Sequence, residues 1–148
     1  MVSKLFTLLL LIAMAPGSAS LAFGQTASCN KGNMSDQPAA TVKEASEFLA
    51  TLQEALRMND RNHVSELIHY PLSASTQDST LQVRTPKELE KKYNQIFTTK
   101  WRKVILQQEV ECINRVGTQG FILAQGALWF NETKPGELQI FSVNQPVE

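Results

Sequence analysis

The chain has 148 residues, with fourteen Lys and Arg against fourteen Asp and Glu. A formal charge of zero supplies no long-range field for nucleic acid or an acidic membrane surface, so neither is an expected partner and recognition must be local. After the N-terminal region no apolar run approaches the ~20 residues of a spanning helix, and no membrane span is expected.

The first two dozen residues read as an address. Lys4 precedes an apolar run from Leu5 to Met14, a Pro16-Gly17 break and the small-residue pattern Ala22-Phe23-Gly24 before Gln25. This is the pattern of a secretory signal peptide over residues 1–24, with a periplasmic or secreted product. Removal leaves residues 25–148, the size of a single domain with one core. Export also means an oxidising compartment, in which the only two cysteines, Cys29 and Cys112, are expected to bridge. Such a bridge stabilises by roughly 3–5 kcal/mol on the chain-entropy model. Lipid attachment at Cys29 is the alternative, but Thr26-Ala27-Ser28 lacks the usual preceding Leu.

Residues 25–40 are rich in Ser, Asn, Gly, Gln and Asp, a composition that reads as a flexible arm. The folded domain, 41–148, opens at Thr41, where Thr-Val-Lys-Glu has capping-box spacing and Ala45, Phe48, Leu49, Leu52 and Leu56 recur at helical intervals to about Asn59. Asp60 caps a short second helix carrying Val64, Leu67 and Ile68, which Pro71 ends. Leu72 to Ser75 and Leu81 to Arg84 alternate about a polar turn and read as a hairpin. Thr85-Pro86-Lys87-Glu88 opens a third helix with Leu89, Tyr93, Ile96 and Phe97 on its buried stripe, and Thr98 or Thr99 caps a fourth through Trp101 and Ile105. Three strands complete the chain: about Glu109 to Arg115, Phe121 to Phe130 and Leu138 to Asn144, paired antiparallel. The middle one is apolar on both faces, and Gly126 within it marks a bulge or kink.

This element order, with Phe48-Leu49, Tyr70-Pro71-Leu72, Tyr93…Ile96-Phe97, Trp101-Arg102 and Gly126-Ala127-Leu128-Trp129-Phe130, resembles small exported bacterial proteins of the nuclear transport factor 2-like superfamily, shared with ketosteroid isomerase and scytalone dehydratase. The resemblance covers about Thr41 to Asn144. It implies an α+β, cystatin-like cone, in which a curved antiparallel sheet is wrapped by three to four N-terminal helices around a pocket open at one end. Homodimerisation through the convex face is common in the superfamily. Enzyme members carry a catalytic Asp where this chain has Tyr70, which is no carboxylate base.

The two histidines, His63 and His69, have no ligand-type partners at metal-binding spacing, and no phosphate loop or nucleophile triad is present, so neither metal nor cofactor is expected. Glu109 and Glu111 share one face of a strand in this reading, either as paired carboxylates or as a wet edge. Tyr70, Tyr93, Trp101, Gln125 and Trp129 are the candidates for a pocket or partner surface, because aromatics offer contact area with a polar handle. The expected function is non-catalytic: binding of a small apolar ligand or of an envelope protein, as an inhibitor or immunity partner would. The alternative is an isomerase, dehydratase or hydrolase using Tyr70 with His69 or Glu111.

Overall fold

Helix starts are the most local decisions in this chain, and three of the four are made by side chains. The computed structural model describes residues 29–146; the expected signal peptide, 1–24, and the first residues of the arm lie outside them. The helices are α1 (Ala39–Arg57), α2 (Arg61–Glu66), α3 (Pro86–Ile96) and α4 (Thr99–Leu106). Asp60 accepts the His63 amide at 3.0 Å, Thr85 the Glu88 amide at 3.2 Å and Thr98 the Trp101 amide at 3.2 Å. Each cap satisfies a free amide and is worth ~1 kcal/mol. The exception is α1, which starts at Ala39 behind Pro38 with no side-chain cap. The Pro38 carbonyl accepts the Val42 amide at 3.1 Å, so Thr41 and Glu44 lie inside the first turns. The capping-box pattern there was matched by composition but not used. At its other end α1 closes through Asn59 at φ +52° and the Asp60 amide on the Ala55 carbonyl at 2.8 Å, a left-handed C-terminal stop.

The strands are β1 (Ile68–Ser75), β2 (Thr80–Val83), β3 (Asn114–Arg115), β4 (Phe121–Leu123), β5 (Leu128–Lys134) and β6 (Glu137–Asn144). They form one curved, unclosed sheet in the order β2-β1-β6-β5-β4-β3. The α+β class with the helices preceding most of the sheet is as the sequence predicts. The sheet itself is mixed: β1 and β6 run parallel while every other neighbouring pair is antiparallel. No tight connection joins β1 to β6, so nothing local imposes an antiparallel direction on that pair.

Three strand expectations are corrected. Residues Val110–Cys112 form a 3-10 turn rather than a strand, leaving only Asn114 and Arg115 in β3. Glu109 and Glu111 therefore flank or occupy a turn, both exposed, and share no strand face. β1 begins at Ile68, before the cis Tyr70-Pro71 peptide rather than after it. The expected long strand from Phe121 to Phe130 is a hairpin, with Phe121 opposite Phe130, Ile122 opposite Trp129 and Leu123 opposite Leu128. Folding back at Ala124–Gly126 changes which residues share a face. Leu123 and Leu128, of opposite parity in a continuous strand, both turn inward.

Two cross-strand rows make the inner face: Phe121, Phe130, Ile140 and Ile68, and beside it Leu123, Leu128, Val143, Ala74 and Leu81. All but the partly buried Leu81 belong to the core. The helices add Phe48 from α1, stacked on Phe130 at 4.5 Å, and a ladder from α3 to α4 in which Tyr93, Phe97 and Trp101 follow one another at 4.8 and 5.1 Å. Burying side chains of this size contributes roughly 1.5–3 kcal/mol each, so these rings dominate the stability of the domain.

The arm, from Cys29 onward, is docked. Cys29 and Cys112 form a disulfide with Cα atoms 5.7 Å apart. The Gly32 amide donates to the Glu111 carbonyl at 2.7 Å, and the Asn33 carboxamide both donates to the Arg115 carbonyl at 3.0 Å and accepts the Arg115 amide at 2.7 Å. Met34 is buried. The approach requires glycine at 32, since a Cβ there would run into the Ile113 carbonyl.

Candidate functional site

Two of the surface grooves formed by the described residues bear on the candidate residues. The first, about 600 Å³, lies between α2 and α3 and has Tyr93 in its lining. The Arg61 guanidinium sits 4.8 Å above the Tyr93 ring and donates to Asn94 at 3.2 Å, and Arg102 donates to Asn59 at 3.3 Å. The Tyr93 hydroxyl is buried without a hydrogen-bond partner among the described residues. Burial pushes its pKa up from 10.0, against the opposing pull of Arg102 and Arg61. Tyr70, half-buried on β1, shares a 2.6 Å hydrogen bond with Ser65, a residue of the same groove; burial raises its pKa too, and the Ser65 bond offsets part of the rise.

A raised tyrosine pKa means that the fold prefers the neutral phenol. That preference is fully present below pH ~10, where the unfolded tyrosine is also neutral, and stability falls as pH rises through the folded value. Tyr93→Phe removes an orphan hydroxyl at no loss of ring packing, so we expect it to raise stability by about 1 kcal/mol and to flatten the alkaline decline. Urea unfolding of both proteins at about pH 8 and about pH 11 checks this; a destabilised variant would show that the hydroxyl has a partner.

The second groove, about 740 Å³, opens at the β4-β5 turn, between the disulfide, the end of α4 and the end of β6. The turn is made by Ala124 to Ala127, with the Ala127 amide on the Ala124 carbonyl at 3.1 Å. Gln125 at φ +56° and Gly126 at φ +92° give it the two positive central angles of a type I′ hairpin turn. Ala124, at φ +52°, is left-handed as well. Two successive non-glycine residues in this region cost roughly 1–2 kcal/mol each, so the surroundings must hold them. They do: the Ala127 carbonyl accepts both the Trp101 indole N–H at 2.9 Å and the Asn144 amide at 2.9 Å, and Asn144 Nδ2 donates to the Gly126 carbonyl at 2.7 Å. Gln145 braces the same end through Thr98 Oγ1 at 2.8 Å and the Ile96 carbonyl at 2.7 Å.

No family model, curated protein or solved structure matches the chain.

Of the five residues singled out from the sequence, the structure brings Gln125 and Trp129 together in the second groove. Gln125 is exposed on the turn and Trp129 is partly exposed on β5, its ring 6.2 Å from that of Phe141. Trp101 lies beneath the turn, wholly buried, and acts on the groove through the Ala127 carbonyl. Tyr93 lines the first groove and Tyr70 is bonded to Ser65 of that groove, so neither belongs to the second. His69 and Glu111 are exposed and line neither groove, so Tyr70, His69 and Glu111 do not converge on a catalytic constellation. Among the described residues no cluster of His, Cys, Asp and Glu is placed to hold a metal ion.

What sequence reasoning missed is the rest of the lining. Asn30, Gln108, Asn114, Asn144 and Gln145 join Gln125 around the groove, with Ile122 and Val104 as its aliphatic wall. They come from five separate segments, and no local pattern announces them. The glycine of the turn is specified by its backbone, at φ +92°, while a Cβ there would only touch the Trp129 indole nitrogen, at 3.4 Å. Gly126→Ala is expected to lower stability by about 1–2 kcal/mol, and the methyl group brought into contact with the Trp129 indole nitrogen should shift its N–H resonance. An unshifted resonance would contradict the geometry.

Proposed function

We propose that this chain is an exported, non-catalytic binding domain of the nuclear transport factor 2-like kind, and that it holds a small ligand in the groove at the β4-β5 turn. One observation carries the reading: the groove has the volume of a small-molecule site, roughly 300–1000 Å³, and its described lining contains an exposed turn residue and a tryptophan but no titratable side chain. General acid–base or nucleophilic catalysis needs such a group at the reacting atom, whereas binding does not. The aromatic filling of the inner face supports an external ligand site over a pocket inside the cone.

Export to the periplasm or beyond is supported by the leader-like residues 1–24 and by the Cys29–Cys112 disulfide, a bond favoured in oxidising compartments. Among the described residues no helix is long and apolar enough to cross a membrane. Trp129 lies on the outer sheet face, the face through which the resembled superfamily pairs. Ligand binding and pairing there exclude one another, so the reading predicts a monomeric mass in solution.

The test is a fragment screen by two-dimensional NMR on the exported protein, with charged and uncharged compounds. Uncharged fragments are expected to shift the signals of Gln125, Trp129 and Asn144. Hits confined to other surfaces, or a preference for charged fragments at the groove, would contradict the reading.

A further inference from the structure

Six of the polar side chains around the groove are of one chemical type. Asn30, Gln108, Asn114, Gln125, Asn144 and Gln145 are all carboxamides, and the described lining includes no Lys, Arg, His, Asp or Glu. Gln145 spends both ends of its amide on Thr98 and Ile96, and Gln108 and Asn144 spend their Nδ2 or Nε2 groups on the carbonyls of Val104 and Gly126. The carboxamides of Asn30, Asn114 and Gln125 bond to no other described residue. Three whole carboxamides and two further carboxamide oxygens, on residues that line the groove, therefore have no partner among the described residues.

This inventory discriminates between ligand classes. A charged ligand entering here would lose hydration without meeting a countercharge. A wholly apolar one would cover the carboxamides and leave them unpaired, at about 1–3 kcal/mol for each group desolvated. An uncharged ligand dense in hydroxyl or acetamido groups meets both demands, because each hydroxyl donates and accepts, as each carboxamide does. Trp129 supplies the remaining element, a flat ring with a partly open face, which suits the apolar C–H face of a pyranose ring.

The sheet extends the lane beyond the groove. Residues paired across neighbouring strands form a single outward row: Asn114, Ile122, Trp129, Ser142, Ser73 and Gln82, one from each of the six strands. All are exposed or partly exposed. Strands are ~4.8 Å apart, so the row places an amide at one end, tryptophan near the middle and hydroxyls and an amide beyond, along a path several sugar rings long. Such a row fits a chain of sugars better than a single one.

Building on the reading that this groove is a binding site, we propose that its ligand is an uncharged oligosaccharide, stacked on Trp129 and hydrogen-bonded by Asn114 and Gln125. The test is titration of isotope-labelled protein with chitotriose, cellotriose and maltotriose, and separately with the apolar probe N-phenyl-1-naphthylamine. At least one trisaccharide is expected to shift the Trp129 indole N–H and the side-chain amides of Asn114 and Gln125 in a saturable way. Trp129→Ala should weaken that binding about tenfold or more. Asn114→Ala and Gln125→Asn, the latter keeping a residue that tolerates the left-handed turn, should each weaken it by a smaller factor while leaving the fold intact. If the apolar probe shifts these signals and no sugar does, the oligosaccharide is overturned and the binding site stands. If neither does, both fall. Sugar binding that survives Trp129→Ala unchanged also overturns the proposal.

Discussion

Trp101→Ala should cost about 3–5 kcal/mol of unfolding free energy, the range for truncating a large aromatic ring in a packed core. Trp101 is 0% exposed, is packed edge-on to Phe97 at 5.1 Å and donates its indole N–H to the Ala127 carbonyl. Truncation thus leaves a cavity and removes one of the two donors on the Ala127 carbonyl, at the end of the left-handed turn. Trp101→Phe separates the two effects: it keeps much of the ring volume and loses the hydrogen bond, so its smaller cost, about 1–2 kcal/mol, should come with a loosened groove. Urea unfolding gives the free energies, and hydrogen exchange at the Ala127 and Asn144 amides reports the turn. A loss below about 1 kcal/mol for the alanine variant would mean that the inner face is not packed as described.

The second large effect belongs to the disulfide. Cys29 and Cys112 close a loop with a sequence separation of 83, for which the chain-entropy model gives about 4.5 kcal/mol. The double variant Cys29→Ala with Cys112→Ala should lose most of that amount. It should also free the arm, because the Gly32 and Asn33 hydrogen bonds are then left to hold a segment in which Met34 is the one buried side chain among the described residues. Unfolding with and without the bridge measures the first effect. Protection of the Gly32 amide measures the second. A loss under about 1 kcal/mol, or an arm that remains protected, would assign the docking to the non-covalent contacts instead.

Helical structure was legible wherever a short side chain could decide it. Asp60, Thr85 and Thr98 cap where their sequence context places them, because a cap is a contact between residues three apart. The start of α1 was misplaced for the same local reason, since Thr41 and Glu44 have the right spacing but the chain enters the helix earlier, behind Pro38. Strands were harder. Alternation in Glu109 to Cys112 imitates a strand, while the disulfide and the Gly32 bond engage a turn there. The run from Phe121 to Phe130 was misread because a hairpin turn made of Ala124, Gln125 and Gly126 offers only its glycine as a signal, and the two positive φ angles before it are carried by residues that seldom adopt them. The parallel β1-β6 pairing joins segments far apart in sequence and leaves no local mark.

The site divided along similar lines. Aromatic type alone selected Trp101 and Trp129 equally, yet one is core and the other groove, because the hairpin fold-back puts Trp129 and Ile122 on the outer face. Gln125 stood out as the one polar residue amid apolar neighbours. The other carboxamides did not, because Asn and Gln are common in surface loops and their convergence exists only after folding.

The inner side of the curved sheet is filled with rings, and the face left open to solvent at Trp129 is the proposed binding face. Incorporation of 5-fluorotryptophan tests it directly, since the chain has two tryptophans and the variant Trp129→Phe assigns their fluorine resonances. The Trp129 resonance is expected to respond to exchange of H2O for D2O and to broaden with a soluble relaxation agent, while the Trp101 resonance does neither. Equal responses at both positions would show a water-filled interior, and would return the ligand site to the inside of the cone.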